Sequence, residues 1–315
     1  MRHIARLRTG IICMLHRMSA LLSCVGSVFL CASAYAGPLV IGRVHDDPSK
    51  AYNEVKPIVD YIAANLGDLG ITEGSLVIAK NRQEMIKFLN EGKVDWTTDS
   101  VVSSLIYSEK IGADILLRRW AAGVPTYYSV MFTRKDGGIN APKDLKGKKI
   151  AFENPGSTSS FYIPVATLMK AGLDLSELSS PKENTPANKV GYTFAHHELT
   201  ITTWVHRHLV DAGAYHNQNW ESPTTNPDAM KKDLKIFYQS KPFPRMVEVV
   251  RKDLDPKIKS RLKEILLKAH EDPAAQAALK AYNKTVKFDE FKGEALTELN
   301  EARELLKYLT AREIP

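Results

Sequence analysis

Two rhythms of apolar residues alternate along most of the chain. Residues 39–44 form a short apolar run, followed by a helix-period pattern over about 50–66. Runs at 76–79 and 94–96 repeat the first signal, and patterns at 83–90 and 101–110 repeat the second. This β-α-β-α-β order predicts a parallel sheet with right-handed crossovers.

A longer β-branched and aromatic run at 127–134 ends in the turn Asp136-Gly137-Gly138. A second alternating unit follows: strands at 149–152, 191–194 and 211–214, with helices at 158–170 and 199–209. After a polar loop at 216–228 comes a strand at 234–239, then helices at 256–266, 273–282 and 293–309. The fold class expected is α/β with two lobes, each a mainly parallel sheet flanked by helices, plus C-terminal helices. Residues 37–133 and 234–315 form the first lobe, and 134–233 the second, inserted one. Two strands, at 127–134 and 234–240, carry the chain between them. Ligands of such folds sit at strand C-termini, at helix N-termini and between lobes.

Residues 1–36 read differently. Arg2, Arg6, Arg8 and Arg17 precede an uncharged stretch with an apolar core at 21–30, and then Ala34-Tyr35-Ala36. That is the pattern of a cleaved secretory signal, too short in its apolar core for a span of about 20 residues. A lipid anchor on Cys24 is the weaker reading. All 3 cysteines lie in this segment, so the remaining chain has no thiol chemistry and no disulfides. The whole chain carries 43 basic and 36 acidic residues; without the leader 39 basic residues remain, and the case for nucleic-acid binding fades.

The segment richest in chemistry is Asn154-Pro155-Gly156-Ser157-Thr158-Ser159-Ser160. A strand ends, a Pro-Gly turn follows, and hydroxyl residues open a helix. Ser157 suits the N-cap. Helical N–H groups without intrahelical partners, the positive end of the helix dipole and rotatable hydroxyls make a cradle for a tetrahedral oxyanion. Plain N-capping explains the stretch equally well when it is taken alone.

The segment resembles the Pro-x-Ser-Thr-Ser motif of the phosphate, phosphite and phosphonate periplasmic substrate-binding proteins of ABC importers. Other stretches are similar to that family in the same order: Gly92-Lys93-Val94-Asp95, Tyr127-Tyr128-Ser129-Val130, Asp144-Leu145-Lys146-Gly147-Lys148, Val210-Asp211-Ala212-Gly213-Ala214 and Ser240-Lys241-Pro242-Phe243-Pro244. The resemblance implies a type II periplasmic binding fold and a small phospho-oxyanion held between the lobes. The partners it implies are an inner-membrane permease and its ATPase. By position, Ser157, Thr158 and Ser159 would hold the oxyanion, with Tyr127 donating from the hinge. His197 matches the family's histidine, although the spacing to Asp211 lets His196 take that place.

Departures from the family shape the ligand expected. The branch that binds aminoethylphosphonate meets the ammonium with carboxylates; here Gln218 and Met246 stand at the aligned positions, and neither neutralises a cation. Arg82 replaces a first-lobe tyrosine and offers a fork of donors to an anion. Ser100 and Thr98, in Thr97-Thr98-Asp99-Ser100, add candidate donors. Asp99 is better read as an acceptor or a helix-start charge. The ligand expected is phosphate, phosphite or a small alkylphosphonate without an amine.

The same reading expects a periplasmic monomer with no cofactor, no metal and no catalytic residue. Three other readings stand beside it. Presentation of the closed form to a sensor kinase uses the same lobe closure. A hydrolase built on Ser157, His197 and Glu198 lacks a Gly-x-Ser-x-Gly elbow. A metal site lacks His-Glu-x-x-His, and His206, His208 and His216 read as solvated or capping residues.

Overall fold

The computed structural model describes residues 37–312 and 314; the leader expected over 1–36 lies outside them. The described chain builds two six-stranded sheets and one two-stranded ladder. It begins with β1 (Leu39–Val44), β2 (Gly74–Ala79), β3 (Trp96–Asp99) and β4 (Asp114–Arg119). Through β5 (Thr126–Tyr127) it enters the second lobe: β6 (Ser129–Arg134), β7 (Lys149–Phe152), β8 (Leu175–Glu177), β9 (Val190–Phe194), β10 (Ala212–His216) and β11 (Leu234–Gln239). It returns through β12 (Phe243–Pro244) and completes the first sheet with β13 (Met246–Val250) and β14 (Phe288–Asp289). The strand orders are β14-β4-β13-β3-β1-β2 and β11-β6-β10-β7-β9-β8.

Both sheets are mixed: the second is mainly parallel, as expected, whereas antiparallel pairings outnumber parallel ones in the first. β1 pairs parallel with β2 and β3, whereas β13 runs antiparallel to β3 and β4. In the second sheet β7 is parallel to β9 and β10, and β6 is antiparallel to β10 and β11. Strands entered through a crossover helix come in parallel; those entered from the hinge or on the return path need no crossover. β6 and β11 belong to the second sheet, so that sheet spans Ser129 to Gln239. The chain crosses at the short β5–β12 ladder, where Tyr127 opposes Phe243 and Thr126 opposes Pro244.

Helix starts follow local chemistry. In α1 (Pro48–Ala64) proline opens the first turn, and the Asp47 side chain accepts the Lys50 N–H at 3.0 Å. In α2 (Arg82–Asn90) Asn81 accepts the Glu84 N–H at 2.9 Å. α3 (Val101–Ile111) stops at Gly112, whose φ of 69° is the left-handed conformation glycine takes most easily. The second lobe carries α4 (Ile163–Lys170), α5 (Glu198–His206), α6 (Asn217–Glu221) and α7 (Asp228–Lys231). On the return come α8 (Pro256–Lys268), α9 (Gln276–Ala281) and α10 (Glu294–Thr310). The buried stripe of α10, from Leu299 to Leu309, packs against α3 of one lobe and α4 of the other. The last helix therefore straps the two lobes together.

Candidate functional site

β7 leads directly into the hydroxyl-rich loop. Asn154 Oδ1 accepts the Gly156 N–H at 2.9 Å and turns the chain. Ser157 caps the helix, its hydroxyl accepting the Ser160 N–H at 3.2 Å. The first turn, Thr158–Tyr162, is wound wide: the N–H groups of Phe161 and Tyr162 both donate to Ser157 O at 3.1 Å. Such π turns concentrate at functional sites. Pro164, with no N–H to return to Ser160 O, leaves this turn free to widen. Two serines fix the loop to the sheet. Ser160 Oγ donates to Ala214 O and accepts the Glu153 N–H at 2.7 Å, and Ser129 Oγ donates to Ser159 O at 2.6 Å. Of the hydroxyl run, Ser160 is thus structural, while Thr158 and Ser159 head the helix with their N–H groups at its positive end.

The first lobe answers with the N-terminus of α3. The Val102 N–H donates to Thr158 Oγ1 at 3.2 Å. Ser103 Oγ reaches Gly156 O at 3.3 Å, and Ser100 Oγ reaches it at 3.5 Å. Two positive helix ends therefore converge on Thr158 from opposite lobes. Asp99 is engaged within its own lobe, accepting the Tyr107 hydroxyl at 2.6 Å and the Ser100 N–H at 2.7 Å. Arg82, in the first turn of α2, crosses the cleft to donate to the Tyr162 hydroxyl, its guanidinium 5.6 Å from that ring's centroid.

The hinge supplies an aromatic floor. Tyr127 is buried and in polar contact with the side chains of Ser159 and Thr158; burial pushes its phenol up to about 12, so it is a neutral donor. The His216 ring meets it edge-on at 5.6 Å, and the Arg245 guanidinium lies 5.5 Å from its centroid. Burial, aided by the Arg245 charge, drives His216 down to about 3, so its imidazole is neutral. Glu153, just past β7, is pushed up to about 7 by burial and by the charge of Glu198.

A sequence profile of the ABC-transporter phosphonate periplasmic substrate-binding proteins matches residues 44–296. The chain belongs to that family.

Similar proteins are found by sequence and by structure. The phosphonates-binding periplasmic protein of Escherichia coli is 26% identical over 200 residues, covering 62% of this chain; the matched stretch spans 56% of that relative's length. A Xanthomonas citri protein, XAC2383, solved with chloride, superposes with a TM-score of 0.83 at 30% identity, over 87% of this chain and 99% of that one. The same X. citri protein has also been solved with ATP, at 29% identity and a TM-score of 0.82 over 87% of this chain and 98% of that one. PhnD1 of Prochlorococcus marinus, in complex with methylphosphonate, shares the fold with a TM-score of 0.63 at 17% identity, over 86% and 98%.

Of the residues expected from the sequence as ligand groups, Ser157, Thr158, Ser159, Tyr127, Arg82 and Ser100 gather where the two lobes meet. Two do not. Thr98 pairs across the ladder with Glu248 and is 1% exposed; strand alternation turns its side chain towards that buried glutamate, opposite to Asp99. His197 is exposed at the N-cap of α5, and His196 beside it is exposed with φ 63°. The histidine at the site is His216, expected to be solvated or capping. It does cap α6, its Nδ1 accepting the Asn219 N–H at 3.3 Å, but it is packed against Tyr127. His206 pairs with Asp233 at 3.0 Å. Among the described residues, no group of three His, Cys, Asp or Glu side chains is arranged to hold a metal ion. Sequence reasoning missed Arg245, whose only signal was its place one residue after the Ser-x-Pro-x-Pro stretch.

Proposed function

We propose that this chain is a periplasmic solute-binding protein that captures a small phospho-oxyanion without an amine and delivers it to an ABC importer. Phosphate, phosphite and methylphosphonate are the ligands in view. The observation that carries the reading is the convergence of the Ser157–Ser159 loop and the α3 N-terminus on one spot, above the Tyr127 phenol. An oxyanion there accepts from helix-end N–H groups, from the hydroxyls of Ser157, Thr158 and Ser159, and from Tyr127. Arg82 and Ser100 add donors from the first lobe as the clamp closes. Closure removes water, and each bond to the charge strengthens as the local dielectric falls. Several charge-assisted bonds at about 1.5–3 kcal/mol each bring affinity to the micromolar range or below.

Gln218 and Met246 stand where the aminoethylphosphonate-binding branch is expected to carry carboxylates, which supports a ligand without an amine. Calorimetric titration with phosphate, phosphite, methylphosphonate and aminoethylphosphonate tests this. Clear preference for the amine compound overturns the ligand class, and no binding to any of the four overturns the function. A second reading, a phosphoryl group carried on a larger body, draws on the X. citri relative solved with ATP. Adding ATP to the titration separates the two.

A further inference from the structure

Arg245 differs from the ion-paired arginines of the first lobe. Arg118 meets Asp289 at 2.7 Å, Arg119 meets Glu248 at 3.3 Å and Arg251 meets Asp95 at 2.9 Å. Arg245 is partly buried, yet it makes no ion pair with any described residue, and its Nε is buried without a hydrogen-bond partner. Glu248, the carboxylate of its own strand neighbourhood, is taken by Arg119. The Arg119 charge itself repels the Arg245 guanidinium. A partly buried cation left beside another cation is destabilising unless something neutralises it.

Its position says what that something is. Arg245 directly follows β12, and its own N–H donates to Pro125 O at 2.9 Å, so its backbone is fixed to the strand that carries Tyr127. Its guanidinium lies over the Tyr127 ring, whose polar end contacts Thr158 and Ser159. His216, the other group against that ring, is neutral and adds no charge to balance. We infer that Arg245 is the charge-complementing residue of the cleft and that its missing partner is the negative charge of the bound phospho-oxyanion. This rests on the function proposed above and sharpens it. A guanidinium anchored at the hinge favours ligands with net negative charge, phosphate, phosphite and methylphosphonate alike. It disfavours zwitterions that bring their own ammonium. The planar fork can engage two oxygens at once, which the ammonium of a lysine cannot.

The test is calorimetry on wild type, Arg245→Met and Arg245→Lys, with phosphate, methylphosphonate and aminoethylphosphonate as probes, after circular dichroism has confirmed folding. The expected loss in the methionine variant is about 30-fold or more for the two anions, the scale of one charge-assisted bond. The lysine variant loses less, and the preference for methylphosphonate over aminoethylphosphonate narrows in the methionine variant. A ligand-free melting temperature that rises in Arg245→Met also supports the assignment, since an uncompensated charge has gone. Wild type that binds, with Arg245→Met within about threefold of it, overturns the role of Arg245 alone. Wild type that binds none of the probes overturns the proposed function and this assignment together.

Discussion

The backbone N–H of Val102 donates to the hydroxyl of Thr158 across the two lobes at 3.2 Å. The donor is in the first turn of α3 and the acceptor in the first turn of the helix that follows β7. The same hydroxyl is in polar contact with Tyr127 from the hinge. One side chain therefore touches both lobes and the crossing strand.

Thr158→Ala removes that shared hydroxyl without disturbing the Ser157 cap. Affinity for phosphate or methylphosphonate is expected to fall about 10- to 100-fold, the scale of one hydrogen bond to a charge. Calorimetry reads the loss, and a melting temperature close to wild type shows that the fold is intact. Unchanged affinity removes Thr158 from the site.

Tyr127→Phe tests the hinge donor in the same way. The phenol stays protonated across the physiological range, because burial holds it near 12. Its contribution is expected to be independent of pH between about 6 and 9. A loss of affinity that changes across that window points to another group.

Arg82 and Tyr162 form a second cross-lobe contact. Tyr162→Phe removes its acceptor, and the population of open molecules is expected to rise. Small-angle scattering with and without ligand reads this as a larger difference in radius of gyration than in wild type. Trp96 is a poor reporter of the same motion: it is fully buried, with Nε1 donating to Glu248 at 2.6 Å within one lobe.

His216 makes stability depend on pH. Its folded value of about 3 lies below the 6.5 of the unfolded chain, so the unfolded state binds the proton more readily. The stabilisation is full above pH 6.5 and is lost as pH falls from there towards 3. The slope approaches about 1.4 kcal/mol per pH unit in that window. His216→Asn, which can still accept the Asn219 N–H, is expected to flatten the urea-denaturation stability profile between pH 6.5 and 4. An unaltered slope assigns the acid sensitivity elsewhere.

Glu153 has the opposite sign. Burial and Glu198 raise it from 4.5 to about 7, so the native state holds the proton longer than the unfolded chain does. Stability is therefore greatest below pH 4.5 as far as this group is concerned, falls as pH rises to 7, and levels off above. Glu153→Gln is expected to stabilise the protein at pH 8, on the order of 1–3 kcal/mol, and to do little at pH 4. Thermal melts at the two pH values check it.

Much of this was legible from local rules. The Ser157 cap satisfies an N–H three residues on, so sequence alone predicted it, whereas the Asp47 and Asn81 caps obey the same local rule but start their helices ahead of the apolar patterns at 50–66 and 83–90. The strand-turn-hydroxyl-helix order located the hydroxyl-rich loop for the same reason. β4 was not foreseen, because it ends on Arg118 and Arg119 and so reads as surface; Asp289, Glu298 and Glu248, all more than a hundred residues away, neutralise them. The antiparallel half of each sheet was likewise set by the return path rather than by local periodicity.

The sequence by itself determined the two lobes, the hydroxyl-rich loop at a helix start and the family of the chain, because each depends on neighbours within a few turns or on motifs in order. Only the tertiary structure decided which hydroxyls are free and which are structural. Ser160 is consumed by Ala214 O, and Thr98 is turned by its strand towards Glu248. It also decided that His216 rather than His197 packs at the hinge, and that Arg245 lies there without a carboxylate. Charge balance and side-chain direction are set by segments far apart in sequence, and they become fixed only when the strands crossing at Tyr127 and Phe243 bring those segments together.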